Sequence, residues 1–305
     1  MKISVICPMY NEQDNIVEFL SVLSAVLDKM VLEREIICVN DGSTDETLTF
    51  LKQAKAKFPA LRIINLSRNF GKEPALTAGL HAATGDVIVP IDADLQDPPE
   101  LILEMYKRYQ EGFDVVLARR IDRAADSFIK RKTAEIFYKV LGNISDVEIP
   151  HNVGDYRLFS KKVLGILKQL PESQRFMKGI FSWVGFRSSC VNYSRSARHL
   201  GETSLNGWRL WNLALEGITS FSTMPLRVWT YIGALVSLLS FLYGLIIVSK
   251  TILLGVDIPG YASILSVMLF LGGVQLIGIG VIGEYVGRIY LESKRRPIYV
   301  IENEY

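Results

Sequence analysis

The sequence predicts an α/β domain with a mostly parallel, doubly wound sheet, followed by two transmembrane helices. Three observations in the chain of 305 residues support this prediction. Short runs of β-branched residues alternate with helical patterns as far as residue 117, polar residues follow the ends of those runs, and two long uncharged segments lie in the last third. Such alternation is typical of a parallel sheet that carries helices on its faces.

The predicted strands and helices alternate regularly along the first half of the chain. Strands are expected at residues 3–7, 35–40, 62–66, 87–91 and 114–117. Helical patterns lie between them, at residues 15–29, 45–58, 74–83 and 98–110. The first turn lacks Gly-x-Gly-x-x-Gly, and the chain has no Gly-x-x-x-x-Gly-Lys-Ser/Thr. This argues against a dinucleotide-dependent oxidoreductase and a P-loop ATPase.

Two uncharged segments near the C-terminus have the length of membrane spans. They cover residues 228–248 and 262–283, and each forms about 30 Å of helix, which matches a bilayer core. The alternative, a pair of buried core helices, is disfavoured by this length and by the glycines of the second segment. Basic residues lie outside the pair, so the positive-inside rule places both termini in the cytoplasm. These basic residues are Arg209, Arg227, Arg288, Lys294, Arg295 and Arg296.

Composition excludes several other classes of protein. The net charge is +2, so there is no bulk electrostatic reason to expect a nucleic-acid partner. The three cysteines are sparse and odd in number, which is consistent with a reducing compartment. No Cys-x-x-Cys or Cys/His cluster suggests zinc.

The most informative segment is the end of the fourth predicted strand. An apolar run there leads into Asp92, Asp94, Gln96 and Asp97. Side chains alternate along a strand, so Asp92 and Asp94 are expected on one side, where both can bind one divalent metal ion. Open α/β sheets place ligands at this carboxyl edge. The alternative is a solvated acidic loop that caps the helix predicted to start near Pro98.

Motifs at the strand ends resemble those of family-2 glycosyltransferases. The resemblance rests on residues 8–12, 39–45, 68–72, 92–100, 155–158, 198–203 and 218–222, and with the two spans it covers essentially the whole chain. The most similar subgroup is that of the polyprenyl-phosphate glycosyltransferases, such as dolichol-phosphate mannose synthase and the bactoprenol glucosyltransferases. The resemblance implies a GT-A fold and transfer of a sugar from a nucleotide donor to polyprenyl phosphate. It also implies a bacterial inner membrane location and a role in modifying cell-surface polysaccharide such as O-antigen.

The resemblance further implies roles for individual residues. The donor base and ribose are expected at Pro8, Tyr10, Glu12 and Asp41. Lys72 is expected near the uracil or diphosphate, and Asp92 contacts the donor as well as the metal. The metal site, for Mg²⁺ or Mn²⁺, is expected at Asp92, Asp94 and Gln96. The resemblance also implies a catalytic set, which is Asp94, Asp155, Arg119, Arg131 and Arg198. In this set Arg119 and Arg131 are expected to hold phosphate groups, and Arg198 is expected to belong to a loop that closes over the substrates.

The expected chemistry is an inverting single displacement. A phosphate monoester acceptor is mostly dianionic at pH 7 because its second pKa is about 6, so it needs little activation. Asp155 is a candidate base, and the alternative is that it orients Arg157 or the sugar hydroxyls. Residues 122–132 are rich in basic side chains, which suits either an acceptor phosphate or lipid headgroups, or is an ordinary solvated face.

The chain divides into four predicted parts. Residues 1–204 form the catalytic domain, 205–226 an amphipathic interfacial helix, 227–284 the two spans with a short external loop, and 285–305 a cytoplasmic tail. The helix at 205–226 alternatively packs on the catalytic domain. The tail resembles a strand, which pairs with a neighbouring copy or with the chain's own sheet. Pairing with a neighbour would suit a homo-oligomer.

Other functions remain possible on the sequence alone. UDP-glucose is the preferred donor by resemblance, and UDP-GlcNAc, UDP-galactose or GDP-mannose are the alternatives. A non-enzymatic membrane scaffold that binds nucleotide sugars would not need the acidic cluster and its basic partners. A processive synthase would carry Gln-x-x-Arg-Trp and more spans, and a phosphatase would place Asp-x-Asp after the first strand.

Overall fold

The computed structural model describes residues 1–121, 153–172, 175, 177–194, 224–254 and 260–305. The chain forms two compact units. The first comprises Met1–Gly217 together with Arg296–Tyr305, and the second is Ile218–Arg295. The segments that carry Arg131, Arg198 and the predicted interfacial helix lie outside the described residues.

The first unit is built on a mixed sheet, which has eight strands in the described part of the chain. The strand order is β7-β5-β6-β4-β1-β2-β3-β8. Strands β2, β1 and β4 are parallel neighbours, and β3 extends this parallel group on the β2 side. The strands are β1 (Lys2–Met9), β2 (Glu33–Asn40), β3 (Leu61–Leu66), β4 (Val87–Pro90), β5 (Val115–Arg120), β6 (Val153–Ser160), β7 (Ser188–Tyr193) and β8 (Ile301–Glu304).

Helices cover both faces of this sheet, as the doubly wound prediction requires. Their bounds are α1 (Ile16–Leu27), α2 (Thr47–Lys55), α3 (Lys72–Ala82), α4 (Leu101–Gln110), α5 (Lys161–Gln169) and α6 (Met177–Trp183). Buried residues of α1, α2 and α4 form one core layer with β1, β2 and β4, for example Phe19, Leu51 and Met105. Helices α3, α5 and α6 contact the sheet through the other layer. The α/β fold is confirmed.

Helix α3 packs very close to the sheet at Gly79, and this packing holds the first residue of the helix in position. A Cβ on Gly79 would lie 2.2 Å from Cγ2 of Ile6 and 3.3 Å from Cγ2 of Val39. Only glycine lets the helix backbone approach β1 and β2 to this distance. The first residue of the helix, Lys72, is thereby held at the carboxyl edge of the sheet.

The structure adds two strands, β6 and β7, to the five that the sequence predicts in the first half of the chain and the strand expected in the tail. Strand β6 runs antiparallel to both β4 and β5. It carries Asp155 and Arg157 among its apolar residues, which hides the strand pattern. Because β6 is reversed, its first residues reach the same edge as the last residues of β4. Strand β5 is parallel to β4, and its end, Arg119–Arg120, therefore also faces that edge.

The C-terminal strand β8 completes the first unit. It pairs antiparallel with β3, so the tail joins the chain's own sheet. Side chains reinforce this edge, because Asn65 Nδ2 donates to Glu302 Oε2 at 2.6 Å and Lys52 lies 4.0 Å from the Tyr305 ring centroid. Tyr299 also contacts α3, where its hydroxyl lies 2.9 Å from His81 Nδ1.

A buried acid lies near the opposite, amino edge of the sheet. Glu35 is 4% exposed and accepts hydrogen bonds from Ser4 Oγ at 2.5 Å, Lys2 Nζ at 2.8 Å and the Thr84 amide at 2.8 Å. Burial raises the pKa of Glu35, but these hydrogen bonds outweigh it and lower that pKa to about 2. The network joins β1 and β2 to the loop before β4.

The second unit contains two long helices, α7 (Met224–Leu254) and α8 (Tyr261–Ser293). They contain the predicted spans, and Val228–Ile246 and Phe270–Ser293 are long and apolar enough to cross a bilayer. Large apolar side chains along both helices are exposed, including Phe241 at 68% and Leu276 at 70%. Gly278 lies under the Trp229 indole, where a Cβ would be 1.8 Å from Nε1. This exposed apolar surface indicates membrane association.

Candidate functional site

Polar residues from four strands meet at the carboxyl edge of the sheet. Strands β1, β2 and β4 end there because they are parallel, and β6 begins there because it is reversed. Residues far apart in sequence, such as Tyr10, Asp41, Asp92 and Asp155, therefore converge on one edge.

The loops that follow β1 and β2 are bonded to one another. Asn11 has φ of 53°, and its amide donates to Ser43 Oγ at 3.0 Å while its Oδ1 accepts from the Thr44 amide at 2.9 Å. The Glu12 amide donates to Thr47 Oγ1 at 2.9 Å, and Glu12 Oε2 accepts from Asn15 at 2.6 Å. These contacts join the two loops into one wall of the site.

Asp41 fixes a third loop, the one that leads into α3. Its two carboxylate oxygens accept hydrogen bonds from the amides of Phe70 at 2.7 Å and Gly71 at 2.8 Å. Burial raises the pKa of Asp41, although these amides and the charge of Arg68 act in the lowering direction. The Asp41 side chain thus positions the backbone just before Lys72 as well as lining the site.

These loops enclose a cavity of about 320 Å³. All six residues that the sequence assigns to donor binding line it. The described lining residues are Pro8, Met9, Tyr10, Glu12, Asp41, Asn69, Gly71, Lys72, Ala75, Asp92, Ala93 and Asp94. Five of them, Met9, Asn69, Gly71, Ala75 and Ala93, were given no role from the sequence, although all except Ala75 lie inside the quoted motifs.

The acidic segment after β4 does not continue the strand. Asp92 and Asp94 both line the cavity, as predicted, but Leu95 has φ of 52°. This left-handed residue ends the alternation of side chains. The Gln96 backbone amide donates to Asp94 Oδ1 at 3.1 Å, and the Gln96 residue is buried outside the described cavity lining. In this structure Gln96 orients Asp94 through its main chain.

Asp97 contacts a strand that is distant in sequence. Its Oδ1 accepts a 2.5 Å hydrogen bond from the hydroxyl of Tyr193 on β7. Burial and then this bond raise the pKa of Tyr193 to about 12. Helix α4 begins at Leu101 with Glu100 as its N-cap and without a side-chain cap bond.

Lys72 contacts two carboxylates that come from different strands, Asp92 after β4 and Asp155 on β6. Its Nζ lies 2.7 Å from Asp92 Oδ2 and 3.3 Å from Asp155 Oδ2. Burial lowers the pKa of Lys72, but the charges of Asp92 and Asp155 together outweigh this effect, so that pKa is raised and the ammonium stays protonated. The Asp155 side chain is 20% exposed.

Arg157 lies behind Asp155 on the same strand. It is 3% exposed, its Nη2 donates to the Gly154 carbonyl at 2.6 Å, and its guanidinium lies 4.1 Å from the Phe181 ring centroid. Burial lowers the pKa of Arg157 to about 10, and the charges of Asp155 and Glu73 oppose this shift. A buried cation here stabilises the Asp155 carboxylate at the start of β6.

Of the three arginines in the predicted catalytic set, the structure describes only Arg119. Arg119 is exposed at the end of β5, where its Nη2 lies 3.3 Å from Cys190 Sγ, and it is outside the described cavity lining. Arg131 and Arg198 belong to segments that the structure does not describe. Their predicted contacts with phosphate groups remain predictions.

The carboxylates of Asp92 and Asp94 supply only part of the ligands that a hard divalent cation needs. Within the described residues, no cluster of three or more His, Cys, Asp or Glu side chains could hold a metal ion. Two carboxylates beside a cavity nevertheless suit Mg²⁺ or Mn²⁺, because these ions often take their remaining ligands from substrate phosphates and water. Such an ion would be shared between the protein and a bound diphosphate.

Fold and site together define an α/β transferase-like protein with its ligand cavity at a sheet edge and a membrane-associated second unit. Residues 4–166 match the family model described as glycosyl transferase family 2, and residues 224–289 match the one described as GtrB C-terminal hairpin. The first match covers more than half of the chain, so the protein belongs to glycosyl transferase family 2. Its sheet has the GT-A-like form predicted from the sequence.

Curated relatives match along nearly the whole chain. The bactoprenol glucosyl transferase of Shigella phage SfV is 52% identical over 304 residues, covering 100% of this chain and 99% of the relative. The prophage bactoprenol glucosyl transferase homolog of Escherichia coli K12 is 51% identical, with 99% of each chain covered. An uncharacterized glycosyltransferase of Synechocystis is 52% identical, covering 99% of this chain and 95% of the relative.

Proposed function

We propose that this protein transfers glucose from UDP-glucose to undecaprenyl phosphate, or a similar polyprenyl phosphate, on the cytoplasmic leaflet of a bacterial plasma membrane. The observation that carries the proposal is the 51–52% identity, over essentially the full chain, to proteins named bactoprenol glucosyl transferase. The acidic and basic edge of the cavity and the apolar second unit support it. The lipid-linked sugar would serve cell-surface polysaccharide modification such as that of O-antigen.

The donor would occupy the cavity between the strand ends. Pro8, Tyr10, Glu12 and Asp41 line the side formed by the first two loops, where the base and ribose are proposed to bind. The diphosphate would lie toward Lys72 and the two aspartates. Tyr10 is 44% exposed, so its ring is available to a planar base.

The proposed reaction is a displacement in which positive charge stabilises the departing diphosphate. The acceptor phosphate oxygen attacks the anomeric carbon, the bond from that carbon to the diphosphate oxygen breaks, and the electron pair leaves with UDP. A divalent cation at Asp92 and Asp94 would act as a Lewis acid toward the departing diphosphate. Lys72 adds positive charge at the same place, and Arg119, Arg131 and Arg198 are proposed to hold phosphate groups. A single displacement predicts a β-linked product from an α-linked donor.

The variant Asp155→Asn tests whether Asp155 is a base. The acceptor is already mostly dianionic at pH 7, so a base is not required for nucleophilicity. Near-normal turnover of this variant would remove Asp155 as the base. A fall in turnover of about a hundredfold or more would show that the carboxylate is required, either as a base or to orient Lys72 and Arg157.

The chain organisation is part of the proposal. Residues 1–204 would be the catalytic domain, 205–226 an interfacial helix, 227–284 the membrane hairpin and 285–305 a tail, with both termini cytoplasmic. Cysteine accessibility at single introduced sites, measured in intact cells and in inverted vesicles, tests this topology. A homo-oligomer is also proposed, and light scattering of the detergent-solubilised protein tests it.

The deciding experiment is a transfer assay with membranes that contain the protein. Labelled UDP-glucose, UDP-galactose, UDP-GlcNAc and GDP-mannose are each incubated with undecaprenyl phosphate, with and without EDTA. A lipid-linked product from UDP-glucose that disappears with EDTA is expected. A product from another donor would change the sugar, and no lipid product from any donor would leave a binding scaffold as the better interpretation.

A further inference from the structure

We propose that Lys72 acts as an exchangeable counter-ion that couples binding of the divalent cation to binding of the donor diphosphate. The inference rests on the proposed function, because it concerns the same cavity. The Lys72 ammonium pairs with Asp92, which is also a metal-binding candidate. A cation that uses Asp92 must therefore compete with a charge the protein already supplies.

The geometry makes Lys72 a bridge between two functional carboxylates. Its Nζ lies 2.7 Å from Asp92 Oδ2 and 3.3 Å from Asp155 Oδ2. A single ammonium therefore contacts both the metal-binding candidate Asp92 and the candidate base Asp155. Both distances fall within the range of charge-assisted contacts.

The backbone at Lys72 is fixed, whereas its side chain can move. The preceding amide, that of Gly71, is bonded to Asp41, and α3 is packed against the sheet through Gly79. The Lys72 side chain is 45% exposed and carries its charge on a flexible four-carbon stem. The ammonium can therefore exchange partners without rearrangement of the fold.

Charge balance then favours joint binding. A free divalent cation must weaken the contact between Lys72 and Asp92, and Lys72 gains no new partner in return. A diphosphate that arrives with the cation offers the ammonium anionic oxygens in place of the carboxylate. Each ligand therefore raises the affinity for the other, and thermodynamic linkage requires the same factor in both directions.

The test measures metal binding rather than turnover. Mn²⁺ binding to full-length protein in detergent is followed by electron paramagnetic resonance, first without nucleotide and then with saturating UDP. Lys72→Met is expected to bind Mn²⁺ on the order of tenfold more tightly than wild type without nucleotide, and to lose most of the enhancement by UDP. Lys72→Arg keeps the charge and is expected to resemble wild type. Lys55→Met, which removes an exposed lysine from α2, is the matched control.

Each outcome decides the proposal. Equal or weaker Mn²⁺ binding by Lys72→Met without nucleotide would overturn it, and so would an absence of binding in both proteins. Retained thermal unfolding temperatures show that the variants are folded. The transfer assay of wild-type protein is independent, so the counter-ion role can fail while glucosyl transfer stands, and the reverse also holds.

Discussion

A single methyl group added at Gly42 tests how the loops around the cavity are packed. Gly42 has φ of 60°, and a Cβ there would lie 2.3 Å from the carbonyl carbon of Arg68 and 2.5 Å from the amide nitrogen of Asn69. Both neighbours are backbone atoms, which cannot rotate away as the end of a side chain could. Gly42→Ala must therefore displace the loop before α3 or distort its own turn.

The cost can be assembled from two contributions. A non-glycine residue in the left-handed region costs about 1–2 kcal/mol, and overpacking adds about 1–3 kcal/mol. A loss near 3 kcal/mol corresponds to a fall in unfolding temperature of about 10 °C for a domain of this size. The displaced loop also carries the Phe70 and Gly71 amides that bind Asp41, so a higher KM for the donor is expected with a smaller effect on kcat.

Gly165→Ala is the matched control for Gly42→Ala. Gly165 lies within α5, and a Cβ there meets nothing within 4 Å. Alanine in a helix interior is better than glycine by about 1 kcal/mol, so this variant is expected to be slightly more stable than wild type. Thermal unfolding and donor KM of both full-length variants are compared in detergent. Equal unfolding temperatures for the two variants would refute the packing argument.

Three further predictions concern the rest of the first unit. Because the folded pKa of Glu35 is about 2, below its ordinary value of 4.5, its stabilisation is present above about pH 4.5 and is lost as the pH falls toward 2. Glu35→Gln should therefore lower the free energy of unfolding by about 3 kcal/mol at neutral pH. The difference in unfolding temperature between wild type and this variant should shrink in acid, and a constant difference would contradict the prediction. Tyr193→Phe should cost about 1.5–3 kcal/mol through loss of the hydrogen bond to Asp97, measured by urea unfolding, whereas an unchanged midpoint would show that the bond contributes nothing. Deletion of residues 301–305 should lower the unfolding temperature and speed hydrogen exchange of the β3 amide of Ile63, which donates to the Tyr305 carbonyl, and unchanged exchange there would argue against the pairing.

The central part of the fold could be predicted from the sequence because its signals are local. Strands β1 to β4 are continuous apolar runs that end in polar motifs, and the parallel order then brings those motifs together. The donor-binding set and the pair Asp92 and Asp94 line the cavity for this reason. The long uncharged segments likewise predicted α7 and α8 from length and composition.

The rest depends on contacts that a linear pattern does not contain. Strand β6 is reversed and carries the buried Arg157, so neither its existence nor the arrival of Asp155 beside Lys72 follows from periodicity. Gln96 was assigned to the metal by resemblance, and the left-handed Leu95, which a linear pattern does not reveal, ends the alternation of side chains just before it. The contact of Asp97 with Tyr193 also could not be predicted, because the two residues are distant in sequence.

The pairing of β8 with β3 has a consequence for the order of events during synthesis. The edge of β3 is closed by residues that are translated after both apolar helices. Until those residues are made, β3 presents unpaired amides and carbonyls, which is the state in which strand edges attract other chains. A chain that stops before residue 301 would leave this edge of β3 open.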